Sequence, residues 1–428
     1  MKSFSKIVVI ALLAAFALTG CFGGGKSSGE YELPPERQPG TKVELTLWET
    51  YNNEEHAVFM EIVKKFEDQN PDIKINVERI PWGGHWGRIA TGLAVNETPD
   101  IARVDVAYVA TLADRGAIVN LDLLGADKVV NEYVDAAIHS NIFRGSVWGL
   151  PDQTNTTVLF YNKTLFDEAG VDYPTFDWTW DDLIEAGKKI TGIRPGVYGF
   201  AMGNTLWETF PYFGTFGAKF LNEDGTKCVL DSPEGIQALS LKVSLNREHG
   251  IEAGAWREGA VGAEDGFLAQ QYAMIITGPW KIAEYRNAGI DFGISLVPRG
   301  PAGTASNVGG TNMVIFRNSR YPREAYQFLR FLTSVEMQAF WANELGQIPV
   351  NKGAFDLVDT EKNPYLEVLM EQAKYAIARP VLVNYARVEE IINAEMALAL
   401  RGEKSPAQAL RDAVREINED PDIFPKNK

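Results

Sequence analysis

The chain has 428 residues, 45% of them hydrophobic, and a formal net charge of −16. That length exceeds one ordinary core and predicts two domains, while the acidic balance excludes nucleic acid and anionic membrane surface as partners. The two cysteines, Cys21 and Cys228, cannot make a disulfide framework, and Cys228 reads as a small core hydrophobe.

Lys2 and Lys6 precede an apolar run from Ile7 to Leu18. A membrane-spanning helix needs about 20 residues, so the run fits the core of a secretory signal instead. It ends in Leu18-Thr19-Gly20-Cys21, which resembles the bacterial lipobox. Residues 1–20 are then a signal peptide and Cys21 is lipidated, and more than one acyl chain there gives stable attachment. Gly20 to Ser27 spells a phosphate-loop pattern. No strand is predicted before it and no helix after it, and the motif requires both. Residues 22–41, rich in Gly, Ser, Pro and Glu, read as a flexible tether.

Val43 to Trp48 alternates as a strand does. Asn53 can cap a helix whose apolar face is Val58, Ile62, Val63 and Phe66, broken at Asn70-Pro71-Asp72. Ile73, Ile75 and Val77 form a second strand, Ile89 and Leu93 mark a helix, and Pro99 to Asp105 is a third strand, followed by a helix that stops near Gly116. This strand–helix alternation predicts a doubly wound α/β sheet. Ligands collect at the carboxyl ends of such strands, here Trp48 to Glu55 and Asp105 to Tyr108.

From Gly149 to Lys163 two strand signals flank a middle of short polar residues, Asp152 to Thr157. Those residue types suit a strand interior poorly but hydrogen-bond well. The stretch reads as a hinge crossing between two lobes. Beyond it come helices at 165–169 (closed by Gly170), 180–190 and from Ser232-Pro233 to about Arg247, a buried strand at 272–277 and another at 291–297. Gly309-Gly310 precedes a second candidate crossing at 312–316. Helices are predicted at 322–332, 335–345, 366–377, 388–400 and 406–417, the last capped by Ser405.

Six motifs stand in order: Phe66 to Ile75, Pro99-Asp100-Ile101, Gly149-Leu150-Pro151 with Tyr161-Asn162-Lys163, Gly278-Pro279-Trp280, Gly309-Gly310, and Gly402 to Leu410. On these the chain, from about residue 42 to its end, resembles the extracellular solute-binding proteins of family 1, and within them the maltose- and trehalose-type sugar-binding proteins of ABC importers. The resemblance implies a type II periplasmic-binding-protein-like fold. It has two α/β lobes, 42–152 plus 311–350 and 153–310 plus 351–428, that close on one sugar and dock on a permease. It implies a monomer, anchored outside the cytoplasmic membrane through Cys21, with no cofactor and no catalysis.

Sugars present hydroxyls and flat C–H faces, so a site needs polar side chains around an aromatic platform. The resemblance places ligand residues at Glu55, Asp105, Gln153, Asn155, Trp207, Trp280, Gly310, Thr311, Arg379 and Tyr385, with Trp82, Trp86, Arg88 and Tyr108 as a second rank. Relatives often carry a carboxylate where this chain has Asn155, which leaves the sugar's identity open. Several of these residues also have a plainer role: Trp207 suits a core, and Arg379 can pair with a surface acid. Asp105 can cap a helix and Glu55 can answer a helix dipole. Gly310 suits close backbone approach. His56, His85, His139 and His249 share no ligand spacing, so no metal is expected. Two other functions remain open: a non-sugar solute on the same fold, and a secreted glycoside hydrolase. The latter lacks the G-x-S-x-G and H-E-x-x-H motifs and the repeat of a barrel.

Overall fold

Strand β1 (Val43–Glu49) runs parallel to β2 (Ile73–Arg79) on one side and to β3 (Ile101–Asp105) on the other. The computed structural model describes residues 31–424; the signal peptide, Cys21 and the start of the tether lie outside the described residues. Helix Asn53–Gln69 joins β1 to β2, and helix His85–Val95 joins β2 to β3. The cap of the first helix is Asn52, one residue before the expected Asn53. Its side chain accepts from Glu55 N at 2.8 Å while the Glu55 carboxylate accepts from Asn52 N at 3.1 Å, a reciprocal capping box.

The next strands are the short hairpin β4 (Ile142–Phe143) and β5 (Ser146–Val147), then β6 (Leu150–Thr156) and β7 (Val158–Asn162), with only Thr157 between them. They are followed by β8 (Met274–Thr277), β9 (Phe292–Ser295) and β10 (Ser306–Ile315). β10 extends the first sheet, antiparallel to β3 on one edge and to β6 on the other, so that Thr311 stands between Asp105 and Gln153. Among the described residues β6 pairs with β10 alone, and such an edge position accommodates Pro151. β7 belongs to a different sheet, whose centre it forms between β8 and β9. The chain therefore passes from sheet to sheet at Thr157, within the expected hinge. There Thr157 N donates to Ser306 Oγ at 3.0 Å, and Ser306 Oγ donates to Thr157 O at 2.7 Å. β7 runs antiparallel to both its neighbours.

One helix expectation changes, and one helix lies where none is expected. The helix read over 366–377 ends at Ala373, and Ala376–Ile377 becomes β11, parallel to Ser306–Asn307. The start of β10 lies beyond the reach of β3, and its backbone groups take β11 as partner. Helix Leu206–Phe216, which carries Trp207, was obscured by Pro211 inside it. Thr205 with Glu208 forms a capping box that does signal it.

Apolar residues on both faces of β7 hold the second half together. Leu159 and Tyr161 share a cluster with Phe166, Trp180, Phe213 and the tail residues Tyr385, Val388 and Ile392. Val158 and Phe160 face Phe267, Tyr285 and Phe292. Of the segment read as a tether, residues 33–41 run along the protein. Arg37 pairs with Glu324 at 3.0 Å, and Arg323 donates to Pro34 O at 2.7 Å.

Candidate functional site

Alternation along β3 puts Arg103 and Asp105 on one face at its carboxyl end, and each organises a separate group. Arg103, not singled out from the sequence, is buried. Its Nε donates to Asp152 Oδ2 at 2.9 Å, its Nη1 to Thr50 Oγ1 at 2.6 Å and its Nη2 to Gln153 Oε1 at 2.5 Å. The Tyr51 ring lies 4.0 Å from the guanidinium. Asp152 Oδ2 also accepts from Tyr51 Oη at 2.8 Å and Thr311 Oγ1 at 3.0 Å. Burial, and then the Asp152 charge, push the Tyr51 phenol well above its ordinary range, so it remains a donor. Gln153 Nε2 donates to Glu55 Oε1 at 2.7 Å and to Gln347 Oε1 at 2.5 Å, and Gln347 Nε2 donates to the same Glu55 oxygen at 2.8 Å. Three expected ligand residues, Glu55, Gln153 and Thr311, are thus partners in a network that ties β1, β3, β6 and β10 together. Gly310 is a backbone device: its φ is 126°, and a side chain would collide with Gln153 O.

The group around Asp105 is less saturated. Asp105 Oδ1 accepts from Ala107 N at 2.8 Å and pairs with Arg379 Nη2 at 2.7 Å. The Arg379 guanidinium sits 4.8 Å from the Trp207 ring and 5.6 Å from that of Tyr385, and its buried Nε has no hydrogen-bond partner among the described residues. Asn155 Oδ1 is likewise buried without a partner among the described residues. A side chain at Gly309 would strike both Asn155 Oδ1 and the Trp207 ring, so only glycine lets the two approach one another. Glu389, one turn after Tyr385, faces Arg379 and Asp105. Burial raises its carboxyl pKa to about 7, against the opposing pull of Arg379.

Aromatic rings extend this group. Tyr108 stacks on Trp86 at 4.3 Å and lies 5.5 Å from His85, which stacks under Trp82 at 4.6 Å. His85 is buried, with Nδ1 2.6 Å from Trp82 O. Nothing in its sequence spacing marked it. Trp280 is half-buried. Its Nε1 donates to Glu264 Oε1 at 2.8 Å and its carbonyl accepts from Asn52 Nδ2 at 2.9 Å, beside the helix start that carries Glu55. Arg88 stands apart, exposed, paired with Glu78 at 3.1 Å and lying over Trp48. The structure therefore brings Asp105, Asn155, Trp207, Arg379 and Tyr385 together, with Tyr108, Trp86 and Trp82 alongside.

A family model described as bacterial extracellular solute-binding protein matches residues 61–368. The sn-glycerol-3-phosphate-binding periplasmic protein of Shigella flexneri is 26% identical over 417 residues, covering 88% of this chain and 92% of that protein. An ABC substrate-binding protein from Listeria monocytogenes, solved in complex with cycloalternan, superposes with a TM-score of 0.81 at 26% identity, over 88% of this chain and 98% of that one. A solute-binding protein of an ABC transporter from Thermotoga lettingae, solved with α-D-tagatose, gives 0.82 at 25% identity, over 89% and 99%.

Proposed function

The chain belongs to the bacterial extracellular solute-binding proteins, and on that premise we propose that it captures a di- or oligosaccharide between its two halves and delivers it to the permease of an ABC importer. The halves divide a few residues from the expected boundaries, where β6 and β10 leave the first sheet: 42–156 plus 306–350 and 158–305 plus 351–428, hinged at Thr157 and at the start of β10. Cys21 carries the lipid that holds the protein at the outer face of the membrane. The ligand residues are Asp105, Asn155, Trp207, Trp280, Arg379 and Tyr385, with Trp82, Trp86 and Tyr108 as flanking rings. Glu55, Gln153, Gly310 and Thr311 act on the ligand indirectly, by fixing the strand ends from which the others project.

One observation carries this reading: a buried acceptor without a partner, Asn155 Oδ1, lies against the Trp207 indole, and a buried donor without a partner, Arg379 Nε, lies over it. Such polar atoms are costly unless satisfied. A sugar hydroxyl both donates and accepts, and its ring offers a C–H face to the indole. Binding of this kind selects the shut arrangement of the halves. A thermal-shift screen over mono-, di- and trisaccharides tests it, because a ligand that binds only the folded chain raises the melting temperature. A sugar that stabilises the wild type and fails to stabilise Trp207→Ala supports the reading; no stabilisation by any sugar contradicts it. Turnover of an oligosaccharide would favour the hydrolase instead.

A further inference from the structure

Among the relatives are proteins for phosphorylated and for neutral solutes, and the cations near this site bear on the choice. Arg103 is consumed by Thr50, Asp152 and Gln153. Lys281, beside Trp280, is held by Glu264 at 3.3 Å and Glu284 at 2.7 Å. Arg79 lies 3.3 Å from Glu49. Arg379 is the cation of the less saturated group, and it meets the Asp105 carboxylate at 2.7 Å with both side chains nearly out of solvent.

We propose that Asp105 sets the charge of the solute: by neutralising Arg379 it bars phosphorylated and carboxylated ligands and leaves the site to an uncharged one. The inference rests on the cleft reading above and concerns the class of ligand within it. A guanidinium presents a fork of donors that suits carboxylate and phosphate oxygens. With Asp105 on that fork, an incoming anion must displace a buried carboxylate or lie beside it, and like charges repel at low dielectric. A neutral hydroxyl can use the remaining Nε without disturbing the pair. Glu389 faces the same guanidinium. Burial raises its carboxyl pKa to about 7, so above that pH it is a second counter-ion, and with Asp105 removed its charge would replace the missing one. Tyr108 and Tyr385 are the other titratable groups facing this cluster, and burial raises both phenols above their ordinary range.

The test is calorimetric titration of the purified chain with sn-glycerol 3-phosphate and with inorganic phosphate, at pH 7.5 and low salt, on wild type and the D105N/E389Q double variant. The expected result is that the double variant binds sn-glycerol 3-phosphate and inorganic phosphate at least tenfold more tightly than wild type does, the binding weakening as salt is added. Wild type binding the phosphate ester as tightly as the double variant overturns the proposal, as does a folded double variant that gains nothing. Should D105N/E389Q not fold, D105S/E389Q keeps an oxygen for the Ala107 N–H and is measured in its place. Wild-type binding to sugars is scored separately. A chain that binds no sugar, but gains phosphate binding on loss of the two acids, retains the assignment of Asp105 and loses the sugar.

Discussion

Gly310 and Gln153 lie so close across the two crossing strands that a side chain on the first would overlap the carbonyl oxygen of the second. The pair marks where β6 and β10 meet, one residue from the register shift between Thr311 and Asn312. Gly310→Ala adds both a steric clash and a φ of 126° that other residues rarely adopt. It should destabilise the chain by about 3 kcal/mol, measured from the denaturant midpoint. An unchanged midpoint would mean that the strands separate there at little cost.

Arg103→Met should cost about 3–5 kcal/mol, because it strands the buried Asp152 carboxylate without its counter-ion. The double variant Arg103→Met with Asp152→Leu should recover part of that loss. Chemical denaturation of the four proteins of this cycle measures the coupling; additive losses would show that the pair does not interact.

Trp280→Ala and Trp207→Ala should each weaken sugar binding by about 2 kcal/mol or more, as loss of a buried aromatic anchor does. Trp280→Phe separates ring from hydrogen bond, since it keeps the face and gives up the bond to Glu264. Calorimetric affinities that none of the three changes alter would place the ligand elsewhere.

Glu389 gives a pH dependence. Its folded pKa, raised to about 7, lies above the ordinary carboxyl value, so between about pH 4.5 and 7 the folded chain holds a proton that the unfolded chain has released. Its stabilising contribution is complete below that window, falls as pH rises through it and is gone above pH 7. Melting temperatures of wild type minus E389Q across pH 4.5–8 should carry this slope; a flat difference would show that Glu389 titrates normally.

Much of the scaffold was legible in the sequence. The βα alternation at 43–105, the helices at 180–190, 233–247, 322–332 and 335–345, and the polar passage at 152–157 follow from periodicity and caps. The misses have physical causes. Ala376–Ile377 is a strand because of a partner 70 residues away, which local pattern does not reveal. Arg103 reads as a polar residue in a short apolar strand until Asp152 and Gln153 cross over to it. The candidate site was legible by residue type rather than by role. By sequence Asp105 suits a cap or a ligand, and it is both a turn acceptor and the counter-ion of Arg379. Asp105→Asn keeps the acceptor for Ala107 N but removes the charge that faces Arg379, so it should lower the melting temperature of the empty protein by several degrees.

Closure of two hinged halves on a sugar should change the size of the molecule in solution. Small-angle scattering of the chain from residue 31 onward, alone and saturated with the sugar that most raises its melting temperature, tests it most directly. The account predicts a smaller radius of gyration with the sugar, and no such change for Trp207→Ala at the same concentration. Superimposable wild-type profiles, with no sugar raising the melting temperature, would contradict it.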